Sequence, residues 1–210
     1  MTLIEVLVIM AIIGVFAAVL TPALFRAKAR ALRISCTGHL KQIGLGTYVW
    51  EGDHLNKYPM SVPGTNGGTM EFTSGTTVFR NFQVLSNELS TPFILICPAD
   101  TDRNRFRATN FAYLNNSNLS YFVGLDANET DPQGILSGDR NLTNGTAVKN
   151  GILQLTTNSA AGWTDEMHKQ CGNIALADGS VQQVSTIGLR ESITNASPFT
   201  TRFQMPILGP

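Results

Sequence analysis

Charge is scarce in this sequence, and what there is cancels. Only 14% of the residues are charged, and fifteen basic side chains balance fifteen acidic ones. Such a chain has no net field to draw it to nucleic acid or to anionic lipid. Cysteine is scarce as well. Three residues, with no C-x-x-C pair and no Cys/His run, do not make a disulfide-built scaffold and carry no sequence signature of zinc. Also missing are a Walker A loop, H-E-x-x-H, a dinucleotide fingerprint and G-x-S-x-G, so the common routes to nucleotide, metalloprotease and serine-hydrolase chemistry have no support. No basic stretch precedes the first apolar run and no small-x-small site clearly ends it, which sets aside a cleaved secretory signal.

What is present begins with "MTLIEVLVIMAIIGVFAAVLTPALFRAKAR". Val6 to Leu20 contains no polar side chain. With the flanking apolar residues the run reaches about 25 residues, roughly 37 Å as helix, against a bilayer core of about 30 Å. A helix apolar on every side for four turns fits a membrane better than the core of a soluble domain. Glu5 is the exception inside it. A carboxylate at that depth costs several kcal/mol and persists where it has a partner and a role. Arg26, Lys28, Arg30 and Arg33 follow the span. By the positive-inside rule they hold the C-terminal part in the cytoplasm, a bias that a basic leader ahead of Met1 would reverse.

After Pro22 the pattern becomes amphipathic. Leu32, Cys36, Leu40, Ile43, Thr47 and Trp50 recur at intervals of three and four and form one stripe, with most of the basic residues off it. One helix is therefore expected from near Met1 to about Trp50, half in lipid and half lying on a globular domain. Pro22 lacks the N–H that would bond Ala18 and Gly14 is a weak helix former, so Gly14 to Pro22 is its soft part. The resulting division is 1–55 for the helix, with 1–25 as its apolar part, and 56–210 for the head.

These residues resemble a known family. "MTLIEVLVIMAIIGVFAAVLTPAL" is similar to the mature N-terminus of type IV pilins and type II secretion pseudopilins, with Met1 where Phe is usual and Glu5 on the family's position-five glutamate. "CTGHLKQIGLGTYVWEGDHLNKYP", "CPAD", "SYFVGLDANETDPQGILSGDRNL" and "HKQCGNIALADGSVQQ" resemble the pilin-like proteins of Planctomycetes and Verrucomicrobia. Their named feature is a His, nine residues and Asp-Gly, matched here by His168, Asp178 and Gly179.

The resemblance implies a pilin fold and a numbering that starts at the processed terminus. It also implies prepilin peptidase as the processing partner, N-methylation at Met1, an assembly platform in the inner membrane, and a helical homopolymer. Glu5 would then neutralise the α-amino group of a neighbouring subunit, since two ions that are costly in a low-dielectric core lose most of that cost when paired. Intrahelical pairing with its own N-terminus, four residues away, is the competing use. Gly14, Pro22 and the residues between them would open as helices close into a bundle. An extracellular pilus is the first reading. A type II secretion pseudopilus, and a monomeric membrane-anchored binding protein, are the alternatives.

Beyond Asn56 the chain is rich in Asn, Thr, Ser and Gly, which reads as turns and short strands in an extracytoplasmic head. "PFILIC", "NLSYFVGL" and "GILSGDR" are strand candidates, and "SVPGTNGGTMEFTSGTT" reads as a loop too polar for the core. "GNIALA" and "SVQQVS" flank Asp178-Gly179, the strongest hairpin signal. The layout is α+β, with an antiparallel sheet covering the helical stripe.

Cys36 on the stripe and Cys97 at the end of "PFILIC" make the simplest disulfide, two separate buried thiols being the alternative; Cys171 is left over. Asp126, Asn128 and Asp131 are weak candidates for calcium. They lack a glycine at the turn position of an EF-hand, and an acidic surface turn is the plainer reading; no other cofactor is implied. Asn118, Asn128, Asn141 and Asn144 open N-x-S/T triplets, which an Asn/Thr-rich chain contains by chance. His168, Asp178 and Ser180 lack the oxyanion donors and cleft that catalysis needs. Hydrogen bonds from His168 and Asp178 that pin the loop before the hairpin to its turn are the expectation, and an enzyme is not.

Overall fold

The structure, a computed structural model, describes residues 2–196 and 200–208. Met1, assigned to processing and methylation, lies outside the described residues.

One helix, α1, runs without interruption over Leu3–Gly52. Its start is fixed by Glu5, whose Oε2 accepts the Thr2 backbone N–H at 2.7 Å. That is the return half of a capping box, and it places a negative charge at the positive end of the helix dipole. Pro22 is inside the helix. It removes one ladder bond, and beside it the Thr21 hydroxyl donates to the Ala17 carbonyl at 2.6 Å. The hydroxyl does not replace the lost bond, which was to the Ala18 carbonyl, and the helix continues on both sides of that single gap. The exit uses left-handed backbone at Leu55 and Asn56 (φ 57° and 55°), with His54 stacked flat on Trp50 at 3.5 Å between ring centroids.

The chain forms two compact units, 1–34 and 35–210. The first is helix alone. Leu3, Ile4, Leu7, Ile13, Phe16, Leu20 and Phe25 are all exposed, and no part of the apolar window is buried in the fold. By length and composition the helix is able to cross a membrane.

The second unit takes in the rest of α1. Of the expected stripe, Cys36, Leu40, Ile43, Thr47 and Trp50 are buried and Leu32 is half-buried. Two short helices, α2 (Phe79–Gln83) and α3 (Ser86–Leu89), pack under it. A six-stranded sheet follows, made of β1 (Tyr121–Gly124), β2 (Ile135–Asp139), β4 (Ile152–Thr156), β6 (Cys171–Leu176), β7 (Val181–Ser185) and β8 (Thr200–Gln204). Its order is β4-β8-β1-β2-β6-β7 and all neighbours are antiparallel. A two-stranded ribbon pairs β3 (Leu142–Thr143) with β5 (Gly162–Trp163), and α4 spans Thr186–Asn195.

Period-two alternation divides the sheet's side chains between two cores. Tyr121, Val123, Leu136 and Ala175 join Cys36, Leu40, Ile43 and Trp50 on the α1 side. Phe122, Ile135, Ile174, Leu176 and Phe203 join Trp163, Leu189 and Ile193 on the α4 side. The head is thus three layers, helix, sheet, and helix with ribbon. Two strand glycines make room for rings. A Cβ on Gly138 would sit 2.7 Å from the Phe122 ring, and one on Gly172 would sit 2.5 Å from Trp163.

The Asp178-Gly179 turn is the expected hairpin. Gly179 N–H bonds the Leu176 carbonyl at 3.0 Å, and Leu176 N–H bonds Ser180 at 2.9 Å. Gly179 takes φ +77°, the left-handed position of a type I turn closed by a bulge.

Several expectations are corrected. "PFILIC" is not a strand. Pro92–Leu95 is a 3₁₀ turn, with Pro92 in its first positions and the Thr91 hydroxyl accepting from Phe93 N–H. A buried apolar run of that length has no periodicity to separate the two states. The Ser61–Thr77 loop is not wholly outside the core, because Val62 and Thr69 are buried. Thr69 donates to Asn81 Oδ1, Asn81 donates to Gln204 Oε1 at 2.8 Å, and Gln204 donates to Phe72 and Gly75 carbonyls. Two elements lie outside those expectations: β8, which sits between β4 and β1, and α4.

Phe203 is fully buried and meets Phe122 edge-on at 4.8 Å. Phe203→Ala should cost about 3–5 kcal/mol, as a large buried ring does. Urea unfolding in detergent checks this, and a loss under 1 kcal/mol would show that β8 is peripheral.

Candidate functional site

Two places hold the residues singled out from the sequence. The first is the start of α1. Glu5 there accepts the Thr2 backbone N–H at the start of its own helix, while its pairing with a terminal amine falls on Met1, outside the described residues. Gly14 has no neighbouring atom within 4 Å of where a Cβ would stand, so nothing packs against it.

The second is a buried polar cluster between α1 and the sheet. Cys36 and Cys97 are joined as a disulfide across 61 residues, with Cα atoms 5.2 Å apart, and both are fully buried. In a chain-entropy treatment a loop of that size contributes about 4 kcal/mol. Cys171 is free and half-buried at the start of β6.

His168 does not reach toward Asp178. Its Nε2 lies 3.5 Å from Cys97 Sγ and 3.4 Å from Asp139 Oδ2, with the side chain 1% exposed. Asp178 is on the surface, where its Oδ1 accepts Ser180 N–H at 2.7 Å. Hydrogen bonds to Ser180 hold the Asp178 carboxyl below its usual range. The expected pinning of loop to turn is therefore corrected: the two halves of the motif do separate work. The turn is anchored instead by Lys41 of α1, whose ammonium donates to the Gly179 carbonyl.

Asp139 ends β2 and is fully buried. Its Oδ2 accepts both the backbone N–H and the side-chain amide of Asn173, at 2.7 and 2.8 Å. Burial pushes its carboxyl up to about 7, against the lowering from those two bonds. Its Oδ1 and the Tyr121 hydroxyl, paired across β1 and β2, have no hydrogen bond. Thr37 of α1 donates to Asn173 Oδ1 at 3.3 Å, so the helix is tied to this cluster by a hydrogen bond as well as by sulfur. Neither Asp139 nor Asn173 was legible as part of a site.

Next to it lies an ion network. Asp100, three residues after Cys97, takes Arg140 on both oxygens at 2.7 and 2.8 Å, and the Ser120 hydroxyl at 2.8 Å. Arg140 also reaches Glu166. Arg105 caps carbonyls of Asn116, Leu119 and Pro206, and burial lowers its pKa to about 10.

The calcium candidates do not converge. Asp126 accepts the Arg202 backbone N–H and its guanidinium. Asn128 accepts from Thr130, and Asp131 from Gln133 N–H. Among the described residues the one group of three or more His, Cys, Asp or Glu side chains close enough to share an ion is Cys36, Cys97 and His168, closed here by the disulfide. Among the aromatics of the head, Phe82 and Tyr121 are core, while Phe72 and Tyr113 are exposed.

No family model matches the chain, and no curated protein or solved structure matches it either.

Asp100 gives a pH test. Burial raises its pKa, but bonds from Arg140 and Ser120 outweigh that and leave it below the usual value. Its contribution is therefore complete above the unfolded value near 4 and is lost as pH falls through the lower folded value. Asp100→Asn should lower stability at pH 7 by about 3 kcal/mol and flatten the loss below about pH 4. Denaturant melts across that range would contradict this if the acid limb kept its slope.

Proposed function

We propose that this chain is the structural subunit, the major pilin, of a type IV pilus-like extracellular filament. In this reading it waits in the inner membrane as a single-pass protein and then polymerises through the first half of α1. The observation that carries it is an apolar window that the fold leaves wholly exposed, on the same helix whose second half is core of the head. Lipid covers such a surface before assembly, and the same surface of other copies covers it after. Glu5 is the one charge in that window. Freed from its own helix start, its carboxylate pairs with the amine of a neighbour, and each ion relieves the cost of burying the other.

Prepilin peptidase and an inner-membrane assembly platform are the partners this function requires, with Met1 as the residue left by cleavage and methylated. Polymerisation rather than turnover is the activity, and no cofactor enters it. His168 and Asp178 face different surroundings, which supports structural roles for both.

Glu5→Leu should still insert, because the span becomes more apolar, while filament yield falls by about tenfold or more through the lost pair. Sheared surface material and membrane fractions, compared by immunoblot, measure both. Normal yield from the variant would remove the pairing argument. Wild-type chain found in the periplasm as short fibres would favour a secretion pseudopilus, and chain found solely as membrane monomer would favour an anchored binding protein.

In the filament the helix between Gly14 and Pro22 should open, since extended chain covers about 3.3 Å per residue against 1.5 Å in helix. That lengthening lets narrow helices close into a bundle beneath wide heads. A filament map with unbroken helix bonds from Ile13 through Leu24 would contradict it.

A further inference from the structure

His168 Nε2 is the common vertex of two separations, 3.5 Å to Cys97 Sγ, within hydrogen-bond range for sulfur, and 3.4 Å to Asp139 Oδ2, long for a hydrogen bond to oxygen. They are close to the edges of a zinc tetrahedron. With Zn–N and Zn–O near 2.0–2.1 Å and Zn–S near 2.3 Å, tetrahedral angles put N and S about 3.6 Å apart and N and O about 3.3 Å apart. Cys36 Sγ belongs to the same group, since the ligand atoms of Cys36, Cys97 and His168 all lie within 4.8 Å of one another. All four side chains are buried, with exposures of 0%, 0%, 4% and 0% for Cys36, Cys97, His168 and Asp139.

We propose that Cys36, Cys97, His168 and Asp139 form a four-ligand zinc site in the reduced chain. The tie between α1 and the head then has two alternative forms, a disulfide or a metal ion.

The donor set suits a borderline-soft cation that prefers tetrahedral geometry. Asp139 Oδ2 is already oriented by the Asn173 backbone and side-chain amides, as outer-shell groups orient metal-bound carboxylates. Oδ1 of the same carboxylate is buried with no hydrogen bond, a cost that a cation beside it would offset. The ligands come from α1, the turn after Pro92–Leu95, the end of β2 and the loop before β6, so a bound ion would cross-link four segments of the head. Two rearrangements are needed. The sulfurs must part to about 3.8 Å, the separation of two thiolates on one zinc, and the Asp139 carboxylate, which is near His168 but outside the group whose ligand atoms lie within 4.8 Å of one another, must close on them.

The chemistry balances. A phosphine and water reduce the disulfide, giving phosphine oxide and two thiols, so two electrons pass from phosphorus to sulfur. Zinc then displaces the two thiol protons, which leave to solvent. Oxidation by a disulfide-bearing oxidant runs the other way: two thiolates lose two electrons to form the Cys36–Cys97 bond, the oxidant becomes a dithiol, and zinc is released.

The test uses the full chain in detergent, reduced anaerobically with a phosphine that does not chelate, and titrated with cobalt(II) and then zinc(II). The expected result is one equivalent of cobalt showing the visible bands of a tetrahedral site and thiolate-to-cobalt charge transfer, both bleached by zinc. The oxidised chain should show neither. Cys36→Ser and His168→Ala should each lose the signal or weaken binding by about tenfold or more, Asp139→Asn should weaken it, and Cys171→Ser should leave it unchanged. Where reduction loosens the head, zinc should restore its circular dichroism and melting transition. Absence of the bands, their persistence in His168→Ala or in the oxidised chain, their loss in Cys171→Ser, or a reduced head that zinc does not restore would each overturn the site.

Discussion

A single helix that is core along one stretch and leaves a long apolar stretch uncovered is the constraint on which everything else here depends. From Cys36 to Trp50 one stripe of α1 is core, touching the sheet through Leu40 and Ile43. Before it, the same helix buries none of its apolar window in its own fold. The head's stability rests on the first fact, and the proposed association of copies rests on the second. Exposed leucine, isoleucine and phenylalanine over more than five turns is far beyond the apolar surface that a soluble monomer carries.

The head holds the helix through chemically different means at one place. Sulfur joins Cys36 to Cys97, Thr37 bonds Asn173, and Lys41 bonds the turn at Gly179. Leu40 and Ile43 add apolar contact on the same side. Asp139 and His168 close the space behind the disulfide, and the Asp100–Arg140 pair borders it. Removing a partner from such a cluster leaves a buried charge unpaired, which is why single substitutions there cost more than the bonds they break.

Much of this was legible because it follows from short-range rules. The stripe came from helical spacing, the hairpin from Asp178-Gly179, and β1, β2, β6 and β7 from apolar segments bounded by turn residues. The disulfide partner of Cys36 was legible even though the strand thought to carry Cys97 is a 3₁₀ turn. Burial of that segment, rather than its conformation, brings the sulfur to the helix. What was not legible is long-range. His168 and Asp139 meet across 29 positions of sequence and share no motif, and the Asp178 spacing pointed His168 at the wrong partner. Strand β8 is invisible locally because its neighbours, β1 and β4, lie far back in the chain. Thr69 and Asn81 look like loop polars until Gln204 is placed beside them.

The central claim is that other copies of this chain cover the exposed half of α1. A spin label on Ile13→Cys, with Cys171→Ser to leave one reactive thiol, reads it directly. Packed helices lie about 8–10 Å apart, so labels on neighbouring copies should broaden each other's spectra strongly in the assembled fraction. Dilution with unlabelled chain should remove that broadening. Spectra of an isolated label in every fraction, unchanged by dilution, would contradict the account.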